Sequence, residues 1–295
     1  MVEFTERALA ARPAEVLAAV AWLRHRGCGI ALDDVGIDRR SLALMPLLSP
    51  DVIKLDMSLI QDRAPSREMA RVLNAVGAEA ERSGAVLLAE GIETEAHFAR
   101  ARAVGATLGQ GWLFGRPGAL PATDGAVRCT PVPLRFDAPE SHLTPFELIA
   151  DHRRLRRGDK RLLLALSMQL EAEAAALGGE TVVLATFQDA RFFTPRTRAR
   201  YARLAESAAL VGALGHGLAG EPGPGIRGAA LGRDEALRGE WDVAVIGPHF
   251  AGAFVARDLG DQGADGDRRF DFFVTYEREL VVAAARTLMS RIVAA

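Results

Sequence analysis

Cysteine is almost missing from this chain: two residues, Cys28 and Cys129, in 295. Two cysteines cannot build a disulfide framework and these lack metal-ligand spacing, so they read as an ordinary strand residue and an ordinary linker residue. Long apolar runs are missing too. None approaches the ~20 residues that cross a bilayer. The N-terminus, with Glu3 and Glu6, has neither the basic region nor the apolar core of a secretory signal. The expected location is the cytoplasm, with no membrane partner. An excess of either charge is also lacking: 36 Lys and Arg stand against 38 Asp and Glu. A protein that grips a nucleic-acid polymer carries a basic surplus. The densest basic stretch, Arg153-Arg154-Leu155-Arg156-Arg157 with Lys160 and Arg161, is offset by Glu147, Asp151 and Asp159. It reads as a solvated helix face, and no nucleic-acid polymer is expected as a partner.

What is there is globular, and long enough for two ordinary domains or one barrel with an appendage. The most informative stretch is Gly29-Ile30-Ala31-Leu32-Asp33-Asp34-Val35-Gly36. A strand that buries Ile30 and Leu32 and delivers two carboxylates at its carboxyl end is a common way to present ligands to a divalent metal. Val52-Ile53-Lys54-Leu55-Asp56, Val86-Leu87-Leu88-Ala89-Glu90-Gly91 and Leu108-Gly109-Gln110-Gly111 repeat that grammar, each with a polar group at or just beyond an apolar run. Val2-Glu3-Phe4-Thr5-Glu6 reads as a further strand, cut off at its start. Helical spacing of apolar residues covers residues 7–26, 41–48, 66–83 and 94–105. Strand and helix thus alternate, and crossovers of roughly twenty to thirty residues require parallel strands. Five strands are visible where a closed barrel of this class has eight. The expectation is α/β: a partial (β/α) barrel of the TIM type, lacking two or three units.

Residues 118–142 hold four prolines without periodicity and form the expected boundary. Beyond it, Thr144-Pro145-Phe146-Glu147 has the form of a capping box with proline at the first helical position. The expected order is then a helix interrupted at Gly158 and Asp159 and continuing to Gly178, a strand over 181–187, a helix over 194–211, and a glycine-rich loop over 212–228. Paired runs over 241–246 and 251–255, a strand over 270–275 and a last helix over 277–292 complete a second α/β domain of sensory type. His249, Trp241 and Phe250 read as structural residues.

Glu3-Phe4-Thr5-Glu6, Ala31-Leu32-Asp33-Asp34-Val35-Gly36, Ile53-Lys54-Leu55-Asp56, Ala89-Glu90-Gly91-Ile92-Glu93-Thr94 and Gly109-Gln110-Gly111-Trp112-Leu113-Phe114-Gly115-Arg116-Pro117 together resemble the C-terminal part of the EAL domain. That family is named for bacterial phosphodiesterases that open cyclic di-GMP to linear pGpG. The resemblance covers residues 1–120, followed by a linker over 121–142. It implies that Glu3, Asp33 and Asp34 ligate Mg2+ or Mn2+, that Lys54 orders the attacking water, and that Glu90 is an acid associated with the metals. It also implies that Glu6 steadies the loop after the acid pair and that Glu93 and Gln110 belong to the pocket. Two-metal hydrolysis of a phosphodiester needs such carboxylates; any one of them alone serves equally well as a helix cap. Relative to the family, the Glu-Ala-Leu strand and a metal-binding Asn have no counterpart ahead of Glu3. The loop Asp34-Val35-Gly36-Ile37-Asp38-Arg39-Arg40-Ser41 carries two arginines in place of small polar residues. Glu235-Ala236-Leu237 spells the family signature but follows a glycine-rich loop, so it reads as coincidence.

Residues 143–295 are similar to the DICT domain, a sensory module found beside diguanylate cyclases and in two-component systems. The resemblance rests on Thr144-Pro145-Phe146-Glu147-Leu148, on the stretch from Glu240 through Gly247-Pro248-His249-Phe250, and on Arg269-Phe270-Asp271-Phe272-Phe273-Val274-Thr275-Tyr276. Two readings of function result. One is a cyclic di-GMP signalling protein with a phosphodiesterase-type domain, N-terminally incomplete and with a degenerate loop, coupled to a regulatory domain. Its expected partners are cyclic di-GMP, a second copy joined through sheet edges at 2–4 and 108–111, and a diguanylate cyclase or sensor kinase. The other is a non-catalytic cyclic di-GMP receptor or interaction scaffold.

Overall fold

The computed structural model describes residues 1–61, 64, 66–119, 132–134, 143–262 and 264–293. They fall into two compact units: Met1–Glu6 with Trp22–Ala138, and Arg7–Ala21 with Pro139–Ala295.

The first unit is one five-stranded sheet of β1 (Val2–Thr5), β2 (Ile30–Val35), β3 (Val52–Leu55), β4 (Val86–Ala89) and β5 (Leu108–Gly109), in sequence order. Every pairing is parallel, as the long crossovers require. All four residues of β3 are buried, so the strand shows no alternation of buried and exposed positions, as central parallel strands commonly do not. Helices α1 (Glu6–Ala11) and α2 (Pro13–Arg24) follow β1. The single helix expected over 7–26 is divided at Pro13, whose ring cannot donate a backbone hydrogen bond and is tolerated only at a helix start. Then come α3 (Met45–Leu48), α4 (Met57–Ile60), α5 (Arg67–Ser83) and α6 (Glu95–Ala103). Ser66 and Thr94 cap the last two through their hydroxyls, to Met69 N–H at 3.0 Å and His97 N–H at 3.2 Å. At the amino end of the strands, buried Arg24 pairs with buried Asp51 and donates to Ser49 O at 2.6 Å, while Asp51 accepts from Ile30 N–H at 2.7 Å. No local pattern announces this pair, because its members meet only when β2 and β3 are side by side.

The second unit is a seven-stranded mixed sheet. Its strands are β6 (Arg156–Asp159), β7 (Val182–Asp189), β8 (Leu210–His216), β9 (Ile226–Ala230), β10 (Glu240–Ile246), β11 (Ala251–Asp258) and β12 (Arg269–Thr275). Their order is β6-β12-β11-β10-β7-β8-β9. The run β7-β8-β9 is parallel and the rest antiparallel. Helices α7 (Pro145–Ala150), α8 (Lys160–Leu177), α9 (Pro195–Ala205) and α10 (Arg278–Met289) accompany it. The capping box of Thr144 and Glu147 forms as expected, and β10 and β11 pair in the expected hairpin. Residues 7–21 join this unit through Arg227 Nη1, which donates to Ala11 O at 2.7 Å, and Ala14 N–H, which donates to Ile292 O at 3.2 Å.

Three expectations are corrected here. The helix over 194–211 stops at Ala205, and Leu210 and Val211 open β8. A short apolar run between glycines is a buried parallel strand as readily as a helical turn, and periodicity does not separate the two. The glycine-rich loop over 212–228 contains most of β8 and the start of β9. Its glycines serve close packing: a Cβ on Gly228 would stand 1.9 Å from Ala219 O. Finally, Arg153–Arg157 is no helix face, since Arg156 and Arg157 lie on β6, a strand with a single neighbour. Arg157 donates to Asp271 across the pair at 2.7 Å. Charge on such an edge discourages further pairing.

Candidate functional site

The parallel sheet of the first unit brings its polar residues to the carboxyl ends of neighbouring strands. Backbone bonds carry the ladder past the strands themselves: Glu90 N–H donates to Leu55 O at 3.2 Å, and Gln110 N–H to Ala89 O at 2.9 Å. Glu90 is thereby held beside the end of β3, next to Lys54. The Lys54 side chain, 8% exposed, stands among three carboxylates: Asp33 Oδ1 at 2.7 Å, Glu90 Oε1 at 2.9 Å and Glu3 Oε1 at 3.2 Å. Burial is the largest single influence on this ammonium and pulls its pKa down. Asp33, Glu90 and Glu3 together outweigh it and hold the pKa above the usual lysine range. Lys54 is therefore a fixed cation at neutral pH.

Asp33 and Asp34 are adjacent on a strand, where successive side chains point to opposite faces. The structure brings both to one place through a bulge. Leu32 pairs with Ile53 and Val35 with Leu55, so β2 spends one more residue than β3 over the same span. Asp34 takes up the extra residue with φ +59°, a left-handed conformation uncommon outside glycine, though aspartate tolerates it better than most. Gly36, at φ +111°, completes the turn; a Cβ there would lie 2.6 Å from Leu59 Cδ1. As a result one oxygen each from Asp33, Asp34 and Glu90 lie within 4.8 Å of one another.

These residues fit a hard divalent cation. The donors are all carboxylate oxygens, the set that Mg2+, Mn2+ and Ca2+ accept. Asp33 Oδ1 is shielded from solvent with Lys54 Nζ at 2.7 Å, and as a carboxylate oxygen it keeps a second lone pair for a cation. Three acids around one ammonium, with Asp34 beside Asp33 and Glu90, leave the cluster negative, a balance that a cation relieves.

The described contacts of the other expected site residues are these. Glu93 is exposed, with its N–H donating to His97 Nδ1 at 3.3 Å. Gln110 is exposed, its carbonyl accepting from Ile92 N–H at 3.0 Å. Glu6 opens α1, and its side chain lies outside the described residues. Asp56, at the end of the Lys54 motif, caps α4 by accepting from Ser58 N–H at 2.8 Å. In the loop after the acid pair, Arg39 reaches Glu68 at 3.4 Å and Arg40 reaches Asp38 at 3.3 Å.

Comparison with known proteins gives matches to both parts of the chain. The EAL domain model matches residues 1–117, and the model described as a sensory domain in diguanylate cyclases and two-component systems, DICT, matches 147–259. The cyclic di-GMP phosphodiesterase RocR of Pseudomonas aeruginosa is 35% identical over 117 residues, which are 40% of this chain and 30% of RocR. The cyclic di-GMP phosphodiesterase NbdA of the same organism is 34% identical over 137 residues, 46% of this chain and 17% of NbdA. This chain therefore spans less than a third of either relative. Among solved structures, the manganese and cyclic di-GMP complex of BlrP1 from Klebsiella pneumoniae is 32% identical with a TM-score of 0.36, over 39% of this chain and 29% of that one. Residues 1–117 are thus similar to EAL domains, and residues 147–259 to DICT domains.

Proposed function

We propose that this protein is a cyclic di-GMP signalling protein of the phosphodiesterase type, with the first unit acting on the nucleotide and the second regulating it. The observation that carries the reading is the carboxylate cluster around buried Lys54 at the carboxyl ends of β1 to β4. Asp33, Asp34 and Glu90 would hold Mg2+ or Mn2+, with Glu3 beside them. Such an ion lowers the pKa of bound water and neutralises phosphate oxygens. Without it the cluster repels a phosphodiester. Lys54 stays protonated, so it takes no proton from water; it donates a hydrogen bond to the nucleophile or to a phosphate oxygen, and a carboxylate accepts the proton. Opening the ring breaks one phosphodiester P–O bond and forms one to the oxygen of water, giving linear pGpG.

A receptor without turnover is favoured by one feature, the pair of guanidiniums at Arg39 and Arg40 in the loop that follows the acids. Arginines there hold a phosphate more readily than they position water. In either reading the protein works in the cytoplasm and answers to a cyclase or sensor partner. It also pairs with a second copy through the first unit, in which β1 and β5 each have one strand neighbour.

The test is a calorimetric titration with Mn2+ and cyclic di-GMP, alongside chromatographic detection of pGpG. Asp33→Asn is expected to weaken Mn2+ binding at least tenfold. Metal-dependent pGpG supports catalysis, and nucleotide binding without pGpG supports the receptor. Binding of neither metal nor nucleotide would overturn both.

A further inference from the structure

We propose that the second unit is the receptor for a small amphipathic anion, an aromatic or ring-bearing body with one carboxylate-like or phosphate-like head, seated in the cavity between α8, the end of β7 and the start of α9. The cavity measures about 680 Å3, within the range of small-molecule sites. Its purpose rests on the regulatory reading of this unit; its existence as a site rests on the geometry alone.

The wall is apolar and aromatic. Phe187, Phe192, Trp241 and Phe270 line it. From α8 come Leu164 and Met168, which remain 45% and 44% exposed, unusual for large apolar side chains that border a core. A flat or aliphatic body gains by covering them.

The rim is cationic, and its charges differ in one decisive respect. Lys160 is paired with Asp265 at 2.5 Å, and Arg200 is paired with Glu171. Among the described residues, neither Arg191 nor Arg196 has a carboxylate partner, and both are exposed at the cavity. Two guanidiniums without counter-ions at the mouth of an aromatic cavity suit a single anionic head, which each can hold by paired hydrogen bonds. Phe192 already carries cations on its ring, with Lys160 Nζ at 4.7 Å and Arg191 Cζ at 4.8 Å from the centroid. This arrangement keeps the positive charge next to the apolar wall.

The backbone at this place is also irregular. Gln188, in the lining, has φ +56°, and the pairing of β7 with β8 shifts register between Thr186 and Asp189. Strained residues and bulges persist where a side chain must be aimed at something, as they do in β2 of the first unit.

The test uses the full chain and two dyes that share one aromatic body: 1-anilinonaphthalene-8-sulfonate, which carries an anionic head, and N-phenyl-1-naphthylamine, which does not. No metal or cyclic di-GMP is present, so failure of the phosphodiesterase reading leaves the result standing. The anionic dye is expected to bind saturably, at one per chain, and at least tenfold more tightly than the neutral one. The Arg191→Ala, Arg196→Ala double variant, both sites being exposed, should bring the two dyes to equal affinity while keeping the parent's thermal unfolding temperature to within a few degrees. Energy transfer from protein to dye should fall by half or more in Trp241→Phe. Equal binding of both dyes by the unaltered chain, or anionic-dye binding that the double variant leaves unchanged, overturns the proposal.

Discussion

Lys54 sits where three acids would otherwise repel one another, and its own burial is tolerable only because they are there. Its folded-state pKa is raised, so the stabilisation it supplies is fully present below the ordinary lysine value of 10.5 and is lost only as pH rises through the higher folded value. Across neutral pH the contribution is therefore flat. Lys54→Met removes the ammonium and leaves the acids facing one another. The expected cost is about 1–3 kcal/mol at pH 7, less than for a fully buried pair because Glu3 is 53% exposed. That loss should shrink on addition of Mn2+, which supplies the missing positive charge. Chemical denaturation at pH 7 with and without the ion checks this; a deficit insensitive to Mn2+ shows that Lys54 acts through packing alone. Asp33 and Glu90 were legible in the sequence because each ends an apolar run, and Lys54 because it interrupts one. The Arg24–Asp51 pair was not, since neither residue stands in a motif and their partnership exists only in three dimensions.

The bulge in β2 belongs to the scale of the element. A regular strand would send Asp34 to the face opposite Asp33, so the site depends on a backbone irregularity as much as on its acids. Asp34→Gly relieves the left-handed conformation and is expected to raise stability by about 0.5 kcal/mol while weakening Mn2+ binding at least tenfold. Thermal unfolding and metal titration together decide this, and a variant less stable than the parent would show that the bulge carries no strain. The sequence named both acids, but it could not show that they converge, because period-two alternation argues against it. The same kind of ambiguity hid β8, because the short gap from Glu206 to Ala209 holds no glycine or proline to mark the change of element.

For the molecule as a whole, among the described residues β1 and β5 each have one strand neighbour in the first sheet. Self-association through that unit predicts a mass in light scattering near twice the 31.6 kDa of one chain. Phe4→Lys, which places a charge on β1, should shift the population toward the single chain. A monomer at every concentration in the unaltered protein would refute the expectation. The two-part division and the α/β class could be read from the change of composition around residues 118–142 and from the alternation of strands and helices. The seven-strand order could not, since it joins segments far apart in the chain.

That order has a consequence for biosynthesis. Arg157 of β6 meets Asp271 of β12 across 114 residues, and β12 lies between β6 and β11. At translation rates of about 5–20 residues per second, β6 emerges from the ribosome roughly 6–23 s before the strand that covers it. Through that interval its arginines face water, and a strand of charged residues can wait there without recruiting a stray neighbour.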